Sequence, residues 1–342
     1  MKSEDLLMGL NELDDALVWD AHEPAPVFLS RRRIFTVLLA ALIAISLIGC
    51  AYAVLSEADW FKVFFTEQSG QALSGGQSAY IEERTQEIAQ SVTVNGYTLT
   101  VESAIADQYT AYIKLRLQAP PGVILDAESY LAGYRKLENG QLEKTFFRED
   151  GKDIAYGASM RPLDDGNPTD GSFSILYEVN LFSHTETTFD EEGIWKLHFW
   201  NMDACYDSGE FITIMEGAID FDIVFSKISD EEAVLISEPV PYSFKTYRNN
   251  DAALNNDPDY TEGFITSVIL RSMSAQILLE GIDLPVGFNI IPIVMKDGTT
   301  VEMKSHSFGT GQFTYMLDAS ILLDEVDYLL LEDGTKLPMP QQ

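Results

Sequence analysis

The chain has 342 residues, 46% of them hydrophobic, and a formal charge of −32 from 54 acidic against 22 basic residues. That balance excludes electrostatic binding to nucleic acid, which needs a basic footprint, and disfavours adhesion to anionic lipid or wall polymer. The two cysteines, Cys50 and Cys205, are separated in a way that opposes pairing, so the fold is expected to rest on ordinary cores rather than disulfides.

At the amino end, Leu6, Leu10, Leu13 and Leu17 recur at spacings of four, three and four, the stripe of one helical face. Ser3 with acids behind it supplies a start signal, and Pro24 and Pro26 end the pattern. A lone helix of about 15 residues is marginal in water, so it is expected to fold on a partner. Its acidic face disfavours the inner leaflet as that partner.

Next comes the uncharged apolar run Ile34 to Leu55, preceded by Arg31, Arg32 and Arg33. As a helix rising about 1.5 Å per residue it reaches roughly 33 Å, against a hydrocarbon core of about 30 Å. The arginines orient residues 1–33 to the cytoplasm and everything after the run to the outside. Residues 1–33 contribute −3 to the charge and the outer part −29. Two other fates of the run stay open. Ala51-Tyr52-Ala53 has the pattern of a leader cleavage site, which would release a secreted product. Leu47-Ile48-Gly49-Cys50 resembles a bacterial lipobox, which would place a lipid on Cys50. The leucine-striped segment ahead of the arginines is unlike a discarded leader and favours an uncleaved anchor.

Beyond the run, Trp60, Phe61, Phe64 and Phe65 are placed where an interfacial aromatic belt is expected. Ser69 to Gly76 has the composition of a flexible linker, and Gln68 to Gln77 would be open to proteolysis. Ser78 to Gln90 suits a short helix. In Val92 to Val101 an Asn95-Gly96 turn joins two alternating runs, which predicts a hairpin with Val94 opposite Tyr97 and Val92 opposite Leu99.

Further strands are read at 111–117, 172–181, 193–200, 209–214 and 218–225. A second set is read at 234–236, 263–271, 274–279, 289–295, 300–304 and 328–331, with 248–261 as a long loop. No helical pattern alternates with these strands, so the class is mainly β: one transmembrane helix followed by two β-sandwich-like, immunoglobulin-like extracytoplasmic domains. The expected organisation is a cytoplasmic segment 1–33, a span 34–55, a juxtamembrane linker and helix 56–90, a first β domain 91–230 and a second 231–342.

No catalytic, cofactor or metal set is legible. His22, His184, His198 and His306 fit no metal-ligand spacing, and no nucleophile elbow, Walker loop or dinucleotide fingerprint occurs. Cys205 sits between acids and makes a poor nucleophile. The acid-rich stretches Asp164 to Gly171 and Asn255 to Asp259 lack the order of a calcium loop and read as solvated turns.

The acidic inner segment with Leu13-Asp14-Asp15-Ala16-Leu17, the arginines and the single span together resemble the small anti-sigma-factor-like membrane proteins of Gram-positive bacteria. The stretch Gln90 to Glu102, then Tyr112-Ile113-Lys114-Leu115, is similar to their uncharacterised extracytoplasmic domain, and Leu323 to Gly334 is similar to their endings. The resemblance implies no enzymatic activity and an extracytoplasmic-function sigma factor as the cytoplasmic partner. Leu6, Leu10, Leu13 and Leu17 would then enter a partner's groove. Better understood members carry several helices there, whereas residues 1–33 allow one. The competing expectation is an anchored surface binding or structural module with no cytoplasmic partner.

Overall fold

The computed structural model describes residues 57–133, 135, 143–163, 171–182, 187–229, 231–236, 238–246, 259–281, 292–309, 311–331 and 333–340. The leucine stripe, the arginines, the apolar run and Cys50 lie outside them. Among the described residues no helix is long and apolar enough to cross a membrane. By its contacts the part from Ser56 to Gln342 is one compact unit.

This unit starts with two helices, α1 (Glu57–Ser69) and α2 (Gly75–Arg84). Two strand-forming stretches follow. Strands β1 (Gln86–Val94), β2 (Tyr97–Ala106), β3 (Thr110–Gln118), β7 (Ser172–Leu181) and β6 (Tyr156–Leu163) form sheet 1 in that spatial order. Facing it, sheet 2 is built on β8 (Trp195–Cys205). One edge of β8 takes β4 (Ser129–Ala132) and β5 (Phe146–Arg148), and the other takes β9 (Phe211–Ile223). The inner faces of both sheets share one core. Leu99, Ile113, Leu115 and Ile175 come from sheet 1, and Phe146, Trp195, Phe199 and Phe221 from sheet 2.

The second sheet pair repeats the plan. Sheet 3 runs β10 (Glu232–Ile236), β12 (Asp259–Arg271), β13 (Ser274–Glu280), β17 (Gln312–Leu317) and β16 (Met303–Gly309), with β11 (Val240–Thr246) also on β12. Sheet 4 runs β15 (Thr300–Val301), β14 (Ile293–Met295), β18 (Val326–Leu330) and β19 (Lys336–Pro338). Their shared core includes Phe244, Ile265, Ile277 and Phe313 against Ile293, Val326 and Leu329. The strand pairings within all four sheets are antiparallel.

The predicted hairpin has the expected register, with Val94 opposite Tyr97 and Val92 opposite Leu99. Asn95 and Gly96 take φ of 53° and 83°, the left-handed pair that such a two-residue turn demands. On the opposite face the Thr93 and Thr98 hydroxyls meet at 2.8 Å, as do Ser91 and Thr100.

Four expectations change. Ser69 to Gly76 is a short connection between two helices rather than a flexible linker: Ser74 caps α2 by accepting from the Gln77 amide, while the Gln77 side chain accepts from the Ser74 amide. The helix expected to reach Gln90 stops at Arg84, because Gln86 onward pairs with β2. The rings expected at a lipid interface are largely inside protein: Phe61 and Phe65 are fully buried and Phe64 nearly so. Finally, 209–214 and 218–225 belong to one strand, β9, bent by two irregularities, at one of which Gly217 adopts φ 114°.

Candidate functional site

The helical hairpin α1–α2 is where the two sheet pairs and the start of the compact unit meet. Residues 60, 61, 64 and 65 of α1 form an aromatic stripe at helical spacing. That stripe, with Tyr80 and Ile81 of α2, packs into a third core containing Ile105, Tyr112 and Leu176 of sheet 1 and Met273 and Met316 of the second sheet pair. Phe64 and Phe65 lie 5.6 and 5.3 Å from the Tyr112 ring. Cations of sheet 1 flank the stripe: Lys114 stands 5.3 Å over Trp60 and Arg161 4.8 Å over Phe64. Both are neutralised on the same surface, Lys114 by Glu102 at 2.8 Å and Arg161 by Glu178 at 2.5 Å. Fully burying each of these rings contributes about 1.5–3 kcal/mol, which makes the hairpin part of the fold.

Beneath the hairpin, Asp107 joins the sheet pairs. It is fully buried. Its Oδ1 accepts from the Tyr109 and Thr110 amides, closing the β2–β3 turn. Its Oδ2 accepts from the Met273 amide and the Ser274 hydroxyl at the β12–β13 turn. Four donors explain how a carboxyl group persists in a buried place. Beside it, buried Arg271 donates to Gln108, Gln276 and Glu232 and stacks 4.5 Å over Tyr109. The Tyr112 hydroxyl donates to the Leu317 carbonyl at 3.0 Å. Burial pushes the Tyr112 phenol well above its ordinary value, with the Glu178 charge adding to it. Burial likewise raises Tyr80.

At the turn between the helices a cleft of about 340 Å³ opens against the second sheet pair, lined by Gln71, Ser74, Lys296, Asp297, Thr299 and Glu325 among others. Here the contacts are polar. Gln77 donates to the Ser320 carbonyl at 2.6 Å, Gln71 to the Thr300 carbonyl at 3.0 Å and Ser74 to the Glu325 carboxylate at 3.3 Å. The Glu325 charge thus sits at the amino end of α2, which favours an anion. The Lys296 ammonium donates to the Asp324 carbonyl at 2.6 Å, and the Thr299 hydroxyl and amide hold the Asp297 carboxyl below the usual carboxylate range.

Of the residues singled out in the sequence, His198 lies on β8 and pairs with Asp220 at 2.6 Å, and Cys205 is buried at the end of the same strand. His22, His184 and Asp164 to Asp170 lie outside the described residues, as do Asn255 to Pro258. Among the described residues no group of three or more His, Cys, Asp or Glu is arranged to hold a metal ion. Asp107 and Arg271 were not singled out in the sequence. The available signal was slight: Asp107 is one of four charged residues between Val101 and Leu117, and Arg271 closes the apolar stretch of β12.

Residues 30–119 match the family model described as domain of unknown function DUF4179. The matched region begins beside the arginines and ends after β3. No curated protein matches the chain. Among solved structures, the conserved domain protein from Bacillus anthracis is 11% identical, with a TM-score of 0.44 over 72% of this chain and 76% of that one. S. aureus TarS is 10% identical, with a TM-score of 0.19 over 75% of this chain and 45% of that one.

Proposed function

We propose that the chain is a non-enzymatic, single-pass membrane regulator of anti-sigma-factor-like character, with its amino terminus in the cytoplasm and two β-sandwich-like domains outside. The observation that carries this reading is the extent of the uncharacterised-domain match: it takes in the arginines, the apolar run, the hairpin and β1–β3 as one stretch. A segment that only tethered the β domains would not need its first helix, beginning at Glu57, to be built into their junction. In this reading a cue at the outer domains shifts the hairpin, the hairpin shifts the span, and Leu6, Leu10, Leu13 and Leu17 change their hold on an extracytoplasmic-function sigma factor. Retrieval of a sigma factor by the full-length protein, lost on deleting Lys2 to Trp19, is the expected result. The idea fails if neither residues 1–33 nor the full-length chain retrieves one.

The alternative, an anchored surface binding module, is favoured by the water-accessible cleft at the hairpin turn, which Lys296, Asp297 and Glu325 help to line. Under that reading, deletion of Lys2 to Trp19 leaves both function and the transcript profile unchanged.

A further inference from the structure

The two long sides of the first sheet pair are joined differently. On one side, β1 and the β9 end face each other and two glutamines bridge the gap. Gln90 donates to the Asp222 carbonyl at 2.5 Å and accepts from the Asp222 amide at 3.0 Å, as a neighbouring strand would. Gln86 repeats the pattern on the Val224 carbonyl and the Ser226 amide. An irregularity in β1 with Ala89 at φ 53° lies between these two glutamines.

On the other side β4 and β6 are joined by the Ala132 amide donating to the Met160 sulfur at 3.3 Å, and beside that junction lies a cavity of about 460 Å³, within the ordinary range of roughly 300–1,000 Å³ for small-molecule sites. Leu131, Met160 and Phe211 give it an apolar wall with Phe199 buried behind, and at its floor the buried Thr145 and Tyr177 hydroxyls bond each other at 2.9 Å. Phe211 at its mouth is 67% exposed, unusual for a ring of this size. Among the described residues one charged side chain lines it, Asp203. The Asp203 Oδ1 accepts from Asn201 at 2.7 Å and from Thr213 at 2.6 Å, which fixes the carboxylate, while Oδ2 has no donor among the described residues. Among the described lining residues there is no lysine, arginine or histidine.

The local backbone is built to make this room. Both irregularities of β9 fall opposite Phe199 to Asp203, a placement typical of binding sites. At position 133 glycine leaves room for the Asn201 side chain, whose Oδ1 a Cβ would meet at 1.7 Å, and whose Nδ2 donates to Asp203.

We propose that this cavity binds a small cationic molecule with an apolar, ring-sized body, its ammonium on the Asp203 Oδ2 and its body against Leu131, Phe211 and Met160. The apolar walls supply burial, and the fixed, uncompensated carboxylate selects the sign of charge. A large negative field over the outer part raises the local concentration of cations and so works in the same direction.

Calorimetric titration of the full-length protein in nanodiscs with tryptamine, and separately with indole-3-acetate, tests this on matched rings of opposite charge. Saturable one-site binding of tryptamine, at least tenfold tighter than indole-3-acetate, is expected. Asp203→Asn should weaken tryptamine at least tenfold while leaving the rest of the outer acidic charge in place, and its amide oxygen can still accept from Thr213. Leu131→Trp, which fills the cavity, should weaken both ligands. Absence of saturable tryptamine binding, equal binding of the two ligands, or tryptamine binding unchanged in both variants would each overturn the proposal.

Discussion

The helical hairpin meets the two sheet pairs by different physics. Toward the first it offers aromatic rings: Phe64 and Phe65 against Tyr112, with Lys114 and Arg161 over the stripe. Toward the second, the turn end of the hairpin makes hydrogen bonds from Gln71, Ser74 and Gln77, beside a water-accessible cleft. Apolar burial is lost only by opening the contact, whereas a hydrogen bond at a wet rim exchanges with water at a net cost near 1 kcal/mol. The hairpin is therefore anchored in the buried core it shares with both sheet pairs, Met273 and Met316 included, and adjustable at its turn end on the second. A relay needs that asymmetry, because a segment fixed equally on both sides has nothing to move against.

The comparison can be broken from either side. The largest effect should come from Phe65→Ala, which empties a fully buried ring position at the anchored side; a loss of about 3–5 kcal/mol is expected in urea unfolding. Asp107→Ala comes next. It strands four donors shared between the sheet pairs, and a loss of about 3 kcal/mol is expected, since each buried donor left unmet costs about 1–3 kcal/mol before relaxation. Asp107→Asn should recover part of this, because an amide oxygen still accepts from one of the two turns.

Tyr112→Phe should cost about 1 kcal/mol near neutral pH through the lost bond to Leu317. Its sharper signature is in alkali. The folded state holds the Tyr112 phenol protonated well above its ordinary value, and burial pushes Tyr130 up to about 12. Their contributions are present below the unfolded phenol value of about 10 and are lost as pH rises beyond it toward the folded values. Unfolding scans between pH 9 and about 12 should show stability falling, and falling less steeply in Tyr112→Phe. The smallest change is at the adjustable side: Gln71→Ala, which removes an exposed bond to the Thr300 carbonyl, should lower stability by no more than about 1 kcal/mol. An effect of Gln71→Ala as large as that of Phe65→Ala would erase the asymmetry.

The hairpin at Val92 to Val101 was readable because turn chemistry and period-two alternation coincide there, and 172–181 was read to the residue as β7 because apolar residues fill it between turn signals. Other strands left little trace. β5 has three residues, and β6 carries Pro162 and no fully buried side chain, so neither has a pattern to find. Helix α1 failed for another reason. Its aromatic stripe was visible, but rings immediately after an apolar run fit a membrane interface as well as a protein core, and only the tertiary partners Tyr112, Met273 and Met316 decide between them. Asp107 shows the limit most clearly. Two of its donors are two and three residues away, and the others lie at Met273 and Ser274, a pairing that no local pattern encodes.

Hydrogen exchange of the full-length chain in a lipid bilayer tests the central claim, that the segment following the apolar run is part of the fold rather than a tether. The account predicts that the amides of Phe65 and Thr85 stay protected alongside those of Tyr112 in sheet 1. Exchange of both within seconds, while Tyr112 and Ile277 remain protected, would contradict it.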